Sequence, residues 1–473
     1  MRASIPSVAA AALAALALAA ACGDPASSTE PPDTPAADGD VLAALQAIPG
    51  MTASELGTDL PGYRFFELGY EQPVDHAHPE GAHFVQRMTL LHRDAAAPMV
   101  VYNSGYFVSP FPLRSEVTAI VGGNQLSMEH RFFAPSRPDP ADWTKLDIAE
   151  AAADQHRIVE ALRPLYHGRW LTTGASKGGM TSLFHRRFYP DDVDGTIAYV
   201  APLDYPADEV QGPDNRYIRF LDQVGTDPAC RQHLEEFQNL ALAHRDALEA
   251  RMQADASFTA ILGVDRAFEF AVEELPFIFW QYGSQADCAS IPAAGAADSQ
   301  LYQFLDGVVT LSSYGDSDLT DFLPYYHQSA TQLGYPIDDE SYLVGLRHPG
   351  EDTARAYVPA GIPTPPYDDG AAMTDVQGWI ATQGAHLLLI YGERDPWSAG
   401  AVTLGDATDS FEYVAPGGNH GSSIRTLAPA DAAAATATVM RWAGLGARVD
   451  GPPVVDEETA EQADLAAERR HRR

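Results

Sequence analysis

Lysine is nearly absent from this 473-residue chain: only Lys145 and Lys177 occur, and 30 basic residues stand against 65 acidic ones, for a net charge of −35. So few cations argue against a nucleic-acid partner, because an acidic surface repels phosphate backbones. The same surface draws in a cationic group such as a peptide's ammonium. Cysteine is scarce too, with three in all, and no C-x-x-C or H-E-x-x-H motif occurs. The doublet His76-Ala77-His78 has no third ligand nearby and reads as a turn. No metal and no cofactor are expected. Past residue 22 no apolar run reaches the ~18 residues of a membrane span. Aromatic and aliphatic residues are not lacking: 45% of the chain is hydrophobic and 10% aromatic, enough for a large core and too much for a disordered or fibrous protein.

The N-terminus reads as an export leader. Met1-Arg2 precedes an apolar run over Ala9–Ala21 that closes on Ala19-Ala20-Ala21-Cys22. A small-residue site after a short apolar stretch marks a signal peptide over 1–21. Cys22 just beyond it is similar to the lipidated cysteine of bacterial lipoproteins, which predicts an exported chain, held at a membrane through Cys22 or released. Residues 22–45, rich in Pro, Ser, Thr and acid, read as a flexible tether. The remaining pair, Cys230 and Cys288, favours a disulfide in an exported chain.

Strand and helix signals then alternate. Tyr63–Tyr70, His83–His92, Met99–Asn103, Gln125–Arg131, Arg169–Thr173 and Gly195–Ala201 read as strands; Pro140–Leu162 and Gly179–Phe188 read as helices. Beyond residue 203 the strand signals stop. Gln232–Met252 and Asp265–Phe279 have helical periodicity, and Tyr314, Phe322, Tyr325, Tyr326 and Tyr335 crowd the stretch that follows. Strands return at His386–Tyr391 and Phe411–Val414, and a helix closes at Ala430–Leu445. The expected fold is α/β with a mostly parallel sheet: core residues 46–203 and 371–446, a helical cap inserted at 204–370, and a charged, fraying tail at 447–473.

Gly174-Ala175-Ser176-Lys177-Gly178 matches G-x-S-x-G. With 38 glycines in the chain, about 0.2 such matches are expected by chance, so context decides. A strand precedes the motif and a helix follows, the strand–turn–helix setting of a nucleophile elbow. Ser176 is inert without a base. In α/β-hydrolases an acid and then a histidine follow the nucleophile. Asp395 (or Glu393, two residues before it) sits past the strand ending at Tyr391, and His420 lies in the loop Gly417-Gly418-Asn419-His420-Gly421. His420 would accept the Ser176 proton and Asp395 would orient the imidazole. The amide of Lys177 and that of Gly105 or Tyr106, in the loop after Asn103, would form the oxyanion hole.

With these residues in place, the chain resembles a known family. Gly174–Met180, the strand end Val200-Ala201-Pro202, Phe277–Gly283 and the Gly-Gly-Asn-His loop look like the secreted bacterial prolyl tri-/tetrapeptidyl aminopeptidases, family 37 of the serine peptidases (PS-10 type). Ser127-Met128-Glu129-His130-Arg131 is similar to the related prolyl carboxypeptidases. The resemblance implies an α/β-hydrolase core with a helical cap, and release of short peptides from free N-termini, often with proline before the cut. Glu269, Glu273 and Glu274 lie on the stretch AFEFAVEELPFIFW and are candidates for holding the N-terminal ammonium; the resemblance favours Glu274. Phe277, Trp280 and Trp397 would wall a proline pocket. Two other functions fit the same motifs: a carboxylesterase or lipase of the same fold, and a non-catalytic surface-binding lipoprotein, the latter disfavoured because all three triad positions are filled.

Overall fold

The computed structural model describes residues 41–343, 345–348, 352–446 and 459–471. The leader, Cys22 and the tether up to residue 40 lie outside the described residues. The end of the expected tether does not: Val41–Gln46 forms helix α1, with Leu45 buried beneath the first strands.

Among the described residues, nine strands make one sheet in the order β1-β2-β3-β5-β4-β6-β7-β8-β9. β1 (Met51–Leu56), β2 (Arg64–Pro73) and β3 (His83–His92) run antiparallel to their neighbours. β4 (Met99–Asn103), β5 (Asn124–Met128), β6 (Trp170–Ala175), β7 (Gly195–Tyr199), β8 (Leu387–Gly392) and β9 (Phe411–Ala415) are mutually parallel. β4, β6, β7 and β8 are buried at every residue, because a parallel strand is covered on both faces, so none of them shows an alternation of apolar and polar residues. Helices α2 (Glu116–Val121) and α14 (Pro429–Trp442) cover one face, packing Ile120, Val439 and Trp442 on Leu171, Ile197 and Leu388. α3 (Ile148–Leu162), α4 (Lys177–Phe188) and α13 (Ala371–Gln383) are the remaining core helices, and α4 and α13 bury Leu183, Met373 and Ile380 with Leu387 and Leu389.

Between β7 and β8 the described residues hold no strand beyond isolated bridges at Pro202 and Ala385. They form α5 (Arg216–Leu221), α6 (Pro228–Ala243), α7 (Arg245–Asp255), α8 (Val264–Glu273), α9 (Leu275–Tyr282), α10 (Asp298–Val309), α11 (Asp316–Asp321) and α12 (Leu323–Gln328). These helices share a core of their own that includes Leu234, Phe237, Phe268, Phe270, Trp280, Leu301 and Tyr357. Cys230 on α6 is bonded to Cys288, with Cα atoms 5.4 Å apart.

Two expected helices are each broken. Gln232–Met252 divides at His244, whose backbone leaves the helical region (φ −103°, ψ 15°); no glycine or proline marks the break. Asp265–Phe279 divides at Glu274 because Pro276 has no N–H for the carbonyl of Val272. That carbonyl accepts from the buried Gln238 Nε2 instead, at 2.8 Å. Likewise α3 starts only at Ile148, where Asp147 caps it by accepting from the Glu150 amide at 2.8 Å. The tail also differs from expectation. Ala460–His471 is helical (α15), with Ala460 and Glu461 buried and the Ala460 amide bonded to the Arg114 carbonyl at 2.9 Å.

Candidate active site

Because β4, β6, β8 and β9 are parallel, the loops that follow them emerge at one sheet edge, where α/β proteins place their ligands. Those loops carry Gly105, Ser176, Asp395 and His420 in turn.

Ser176 links β6 to α4 with φ 54° and ψ −129°, a conformation L-residues avoid. The turn is held by the Ser176 amide on the Tyr199 carbonyl at 2.9 Å. It fits only because its glycines have no side chain. A Cβ on Gly174 would stand 2.4 Å from the Asn103 carbonyl oxygen, and one on Gly178 would stand 2.1 Å from it. The motif spacing therefore reflects the close approach of the elbow to β4.

Asp395 caps the short turn Pro396–Gly400, accepting from the Trp397 amide at 3.2 Å through Oδ1. Its Oδ2 meets His420 Nδ1 at 2.8 Å, with both side chains fully buried. That contact assigns the Nδ1 proton and leaves Nε2 as the basic nitrogen. Nε2 is buried without a protein hydrogen-bond partner. Glu393, the competing acid, is exposed and accepts from the Gly417 amide at 2.5 Å. It has no contact with the imidazole, so the pair is Asp395–His420. The His420 amide donates to the Gln281 carbonyl at 2.9 Å, and Asn419 Nδ2 donates to the Gly283 carbonyl at 3.2 Å.

Ser176 opens into a cavity of about 420 Å³ lined by Tyr106, Lys177, Met180, Pro202, Asp204, Leu333 and Trp397 among others. The Trp397 ring stands 6.3 Å from that of His420. Of the two amides proposed beside Lys177 for the oxyanion hole, that of Tyr106 is turned into its own loop, donating to Ser104 Oγ at 3.1 Å. Gly105, with φ 83°, is the better candidate: a Cβ there would lie 2.6 Å from Gly178 N, so its backbone rests directly on the elbow.

A second cavity, about 480 Å³, shares Gln281, Tyr325 and Trp397 with the first. It is lined by five carboxyl groups: Glu273, Glu274, Asp338, Glu340 and Asp352. Three tyrosine hydroxyls hold Glu274: Tyr314 on Oε2 at 2.6 Å, and Tyr335 and Tyr357 on Oε1 at 2.6 and 3.0 Å. Arg347 pairs with Glu273 and Glu340. Burial, reinforced by Glu340, pushes the Glu273 carboxyl up to about 8. Burial and the nearby Glu274 raise Asp338 and Asp352 well above the usual carboxylate range. Asp338 Oδ2 and Glu273 Oε2 are buried without hydrogen-bond partners. Such a chamber favours a cation, because each carboxylate ionises more readily beside one.

Not every residue expected here lines these cavities. Phe277 and Trp397 do, with rings 4.9 Å apart. Trp280 does not: it is buried in the helical core against Phe279, and a Cβ on Gly225 would touch its ring at 2.6 Å. Glu269 is also elsewhere, bound by Arg245 and by the His348 amide at 2.9 Å. Asp338, Asp352 and the three tyrosines were not singled out as a group, since they come together only through long-range packing. The aromatic crowding of 310–336 is a local signal for Tyr314 and Tyr335 alone. The stretch Ser127–Arg131 also gains a role. Glu129 accepts from the Val108 amide at 3.2 Å and the His130 amide donates to the Tyr106 carbonyl at 2.9 Å, so both brace the loop that carries Gly105.

The profile of the PS-10 peptidase S37 family matches residues 34–469. The chain belongs to that family. It is 46% identical over 442 residues to the prolyl tri/tetrapeptidyl aminopeptidase of Streptomyces mobaraensis, covering 92% of this chain and 91% of that one. Among solved structures, it is similar to a proline iminopeptidase from Mycobacterium smegmatis, at 12% identity and a TM-score of 0.37 over 79% of this chain and 98% of that one. It is also similar to acetyl xylan esterase 1 from Thermoanaerobacterium, at 12% identity and a TM-score of 0.37 over 85% and 91%. This S37 member is a serine peptidase with an α/β-hydrolase core, as the resemblance implied. Among its described residues no group of three or more His, Cys, Asp or Glu could hold a metal ion, and no helix is long and apolar enough to cross a membrane.

Proposed function

We propose that this peptidase releases tri- or tetrapeptides from free N-termini, cutting after proline, with Ser176 as nucleophile, His420 as base and Asp395 as its orienter. Ser176 Oγ adds to the scissile carbonyl carbon while its proton passes to His420 Nε2. The carbonyl oxygen, now negative, takes hydrogen bonds from the Gly105 and Lys177 amides. The C–N bond then breaks and His420 returns the proton to the departing amine, leaving the peptidyl ester on Ser176. Water, deprotonated by His420, hydrolyses that ester and restores the serine.

The observation that carries the substrate assignment is the acidic chamber beside the Ser176 cavity, with Glu274 set in its wall by tyrosine hydroxyls. A substrate's ammonium seated there would place a bond a few residues along the chain at Ser176. Phe277 and Trp397, with rings inclined at 74°, offer an apolar corner that a proline ring fits. A neutral ester would gain nothing from five carboxyl groups, three of them buried, which sets the esterase reading aside. The relative's name, prolyl tri/tetrapeptidyl aminopeptidase, agrees. The test is Ala-Ala-Pro on a chromogenic amide, free and N-acetylated: the free form should be cleaved and the blocked form not. Equal turnover of both would discard the ammonium site.

Export is part of the same proposal. The leader and Cys22 support a chain lipidated at Cys22 and held at the outer face of a membrane. The Cys230–Cys288 bond fits an oxidising compartment. Mass spectrometry of the mature N-terminus tests this; an unmodified terminus elsewhere than residue 22 would refute lipidation.

A further inference from the structure

Lys177 follows the candidate nucleophile and is one of only two lysines in the chain. Its side chain is not on the surface. It is 3% exposed, and its ammonium stands 5.5 Å from the Tyr106 ring centroid and 5.6 Å from that of Phe133. Nζ donates to the Gly105 carbonyl at 2.7 Å. A lysine is costly to bury, so a buried one at this place calls for a reason.

The geometry of the Gly105–Tyr106 peptide supplies it. Lys177 Nζ holds the carbonyl edge of this peptide plane, and Ser104 Oγ takes the N–H edge at 3.1 Å. Ser104 Oγ in turn donates to the Phe107 carbonyl at 2.5 Å. The plane is therefore pinned on both edges, which restrains ψ of Gly105 and, with the Ser104 side chain tied into the same loop, limits the direction open to the Gly105 amide on the adjoining plane. At φ 83° glycine has no side chain to set that direction itself. The pin comes from the residue whose own amide is the other oxyanion donor, so one side chain sets the spacing between the two donors. The ammonium also brings a full positive charge to the wall of the Ser176 cavity. Its field reaches the buried His130, whose basicity falls well below normal, through burial first and then through Lys177.

We infer that Lys177 is a positioning residue for the oxyanion hole: its ammonium clamps the Gly105 carbonyl to the elbow and adds fixed positive charge where the tetrahedral intermediate becomes negative. This rests on Ser176 being the nucleophile. Labelling of Ser176 by a fluorophosphonate checks that premise separately in every variant.

The experiment compares wild type with Lys177→Met, Lys177→Arg and Ser104→Ala on free Ala-Ala-Pro-amide substrate. It also measures binding of a tripeptidyl boronic acid, whose boron becomes tetrahedral and anionic on adding Ser176 Oγ, against binding of the product tripeptide. Lys177→Met should lower kcat about 10- to 100-fold, with KM changed less than about threefold. Boronate affinity should fall in step while product affinity holds. Lys177→Arg should recover most of the loss. Ser104→Ala, which frees the opposite edge of the same plane and keeps the lysine, should show the same pattern more weakly. A merely structural lysine would lower the melting temperature and weaken boronate and product equally; that result, or an unchanged kcat in Lys177→Met, overturns the proposal. Should Lys177→Met not fold, Ser104→Ala and Lys177→Arg decide: boronate and product affinity moving together in both would refute it.

Discussion

Glu274→Gln gives the sharpest separation of an ammonium site from an acidic cavity of no consequence. The substitution keeps the side chain's volume and one acceptor oxygen and deletes only its charge. With the amide oxygen in place of Oε1, Tyr335 and Tyr357 keep their acceptor, and the amide nitrogen faces the Tyr314 hydroxyl, which can turn to accept. Packing should therefore survive. What is lost is a buried, charge-assisted contact to the substrate's ammonium, worth about 2–4 kcal/mol. At about 1.4 kcal/mol per tenfold, kcat/KM for free Ala-Ala-Pro-amide should drop about 30- to 900-fold. Asp338 and Asp352 remain in the chamber and pull the effect toward the lower figure. The N-acetylated substrate should be unaffected, so the ratio of free to blocked turnover collapses. Steady-state rates on both substrates, with a melting curve and fluorophosphonate labelling as controls, make the measurement. A folded, labelled variant that still prefers the free N-terminus by the wild-type factor would refute Glu274 as the anchor.

Asp395→Asn should cut kcat about 10³- to 10⁴-fold by favouring the wrong His420 tautomer, whereas Glu393→Gln should change it less than about threefold; the reverse order would exchange their roles. Gly178→Ala should cost most of the folded protein, since the new methyl carbon would sit 2.1 Å from a backbone oxygen; an unchanged melting temperature would deny that close approach. Removing the Cys230–Cys288 bond, which spans 58 residues, should lower stability by about 2–4 kcal/mol in denaturant titrations. Binding of Ala-Ala-Pro-amide to Ser176→Ala should be tightest near pH 8. Glu273, raised to about 8, takes up a proton as the pH falls through that value and weakens the site. A peptide's own ammonium is lost above about 7.7–8.0. Calorimetry across pH 6–10 shows this as a maximum, and Glu273→Gln should flatten its acidic limb; a pH-independent affinity would sink it.

The parts of this molecule that the chain announces are those where local chemistry leaves no choice. Gly174 and Gly178 had to be glycine for the elbow to meet β4, and the β-forming run Trp170–Thr173 leads straight into it, so Ser176 could be placed from the sequence. Asp395 and His420 were legible because each sits in a loop just past a strand, β8 buried throughout and β9 half-exposed at the sheet edge. The division of Asp265–Phe279 was legible in principle from Pro276, but its consequence was not: it puts Glu274 at a helix junction, while Glu269 and Glu273 stay on the face met by Arg245 and Arg347. Trp280 belonged to the helical core for a reason no short window contains, the approach of Gly225 and the helices around it. Asp338, Asp352, Tyr335 and Tyr357 are tens of residues from Glu274 in the chain, so only tertiary packing brings them to it. The burial of the tail is not legible from its charge: Glu461 is buried where it accepts from the Glu116 amide at 3.1 Å.

The loop that carries His420 is stitched to the helical insertion, through the Gln281 and Gly283 carbonyls. A movement of the insertion away from the core would break these contacts and disturb His420, the proposed base. On the proposed reading, a substrate that enters by its N-terminus reaches Ser176 with the insertion in place, and exclusion of folded proteins would be a by-product of how the base is held. Grafting a different insertion to widen the substrate range would have to rebuild those two carbonyl contacts first.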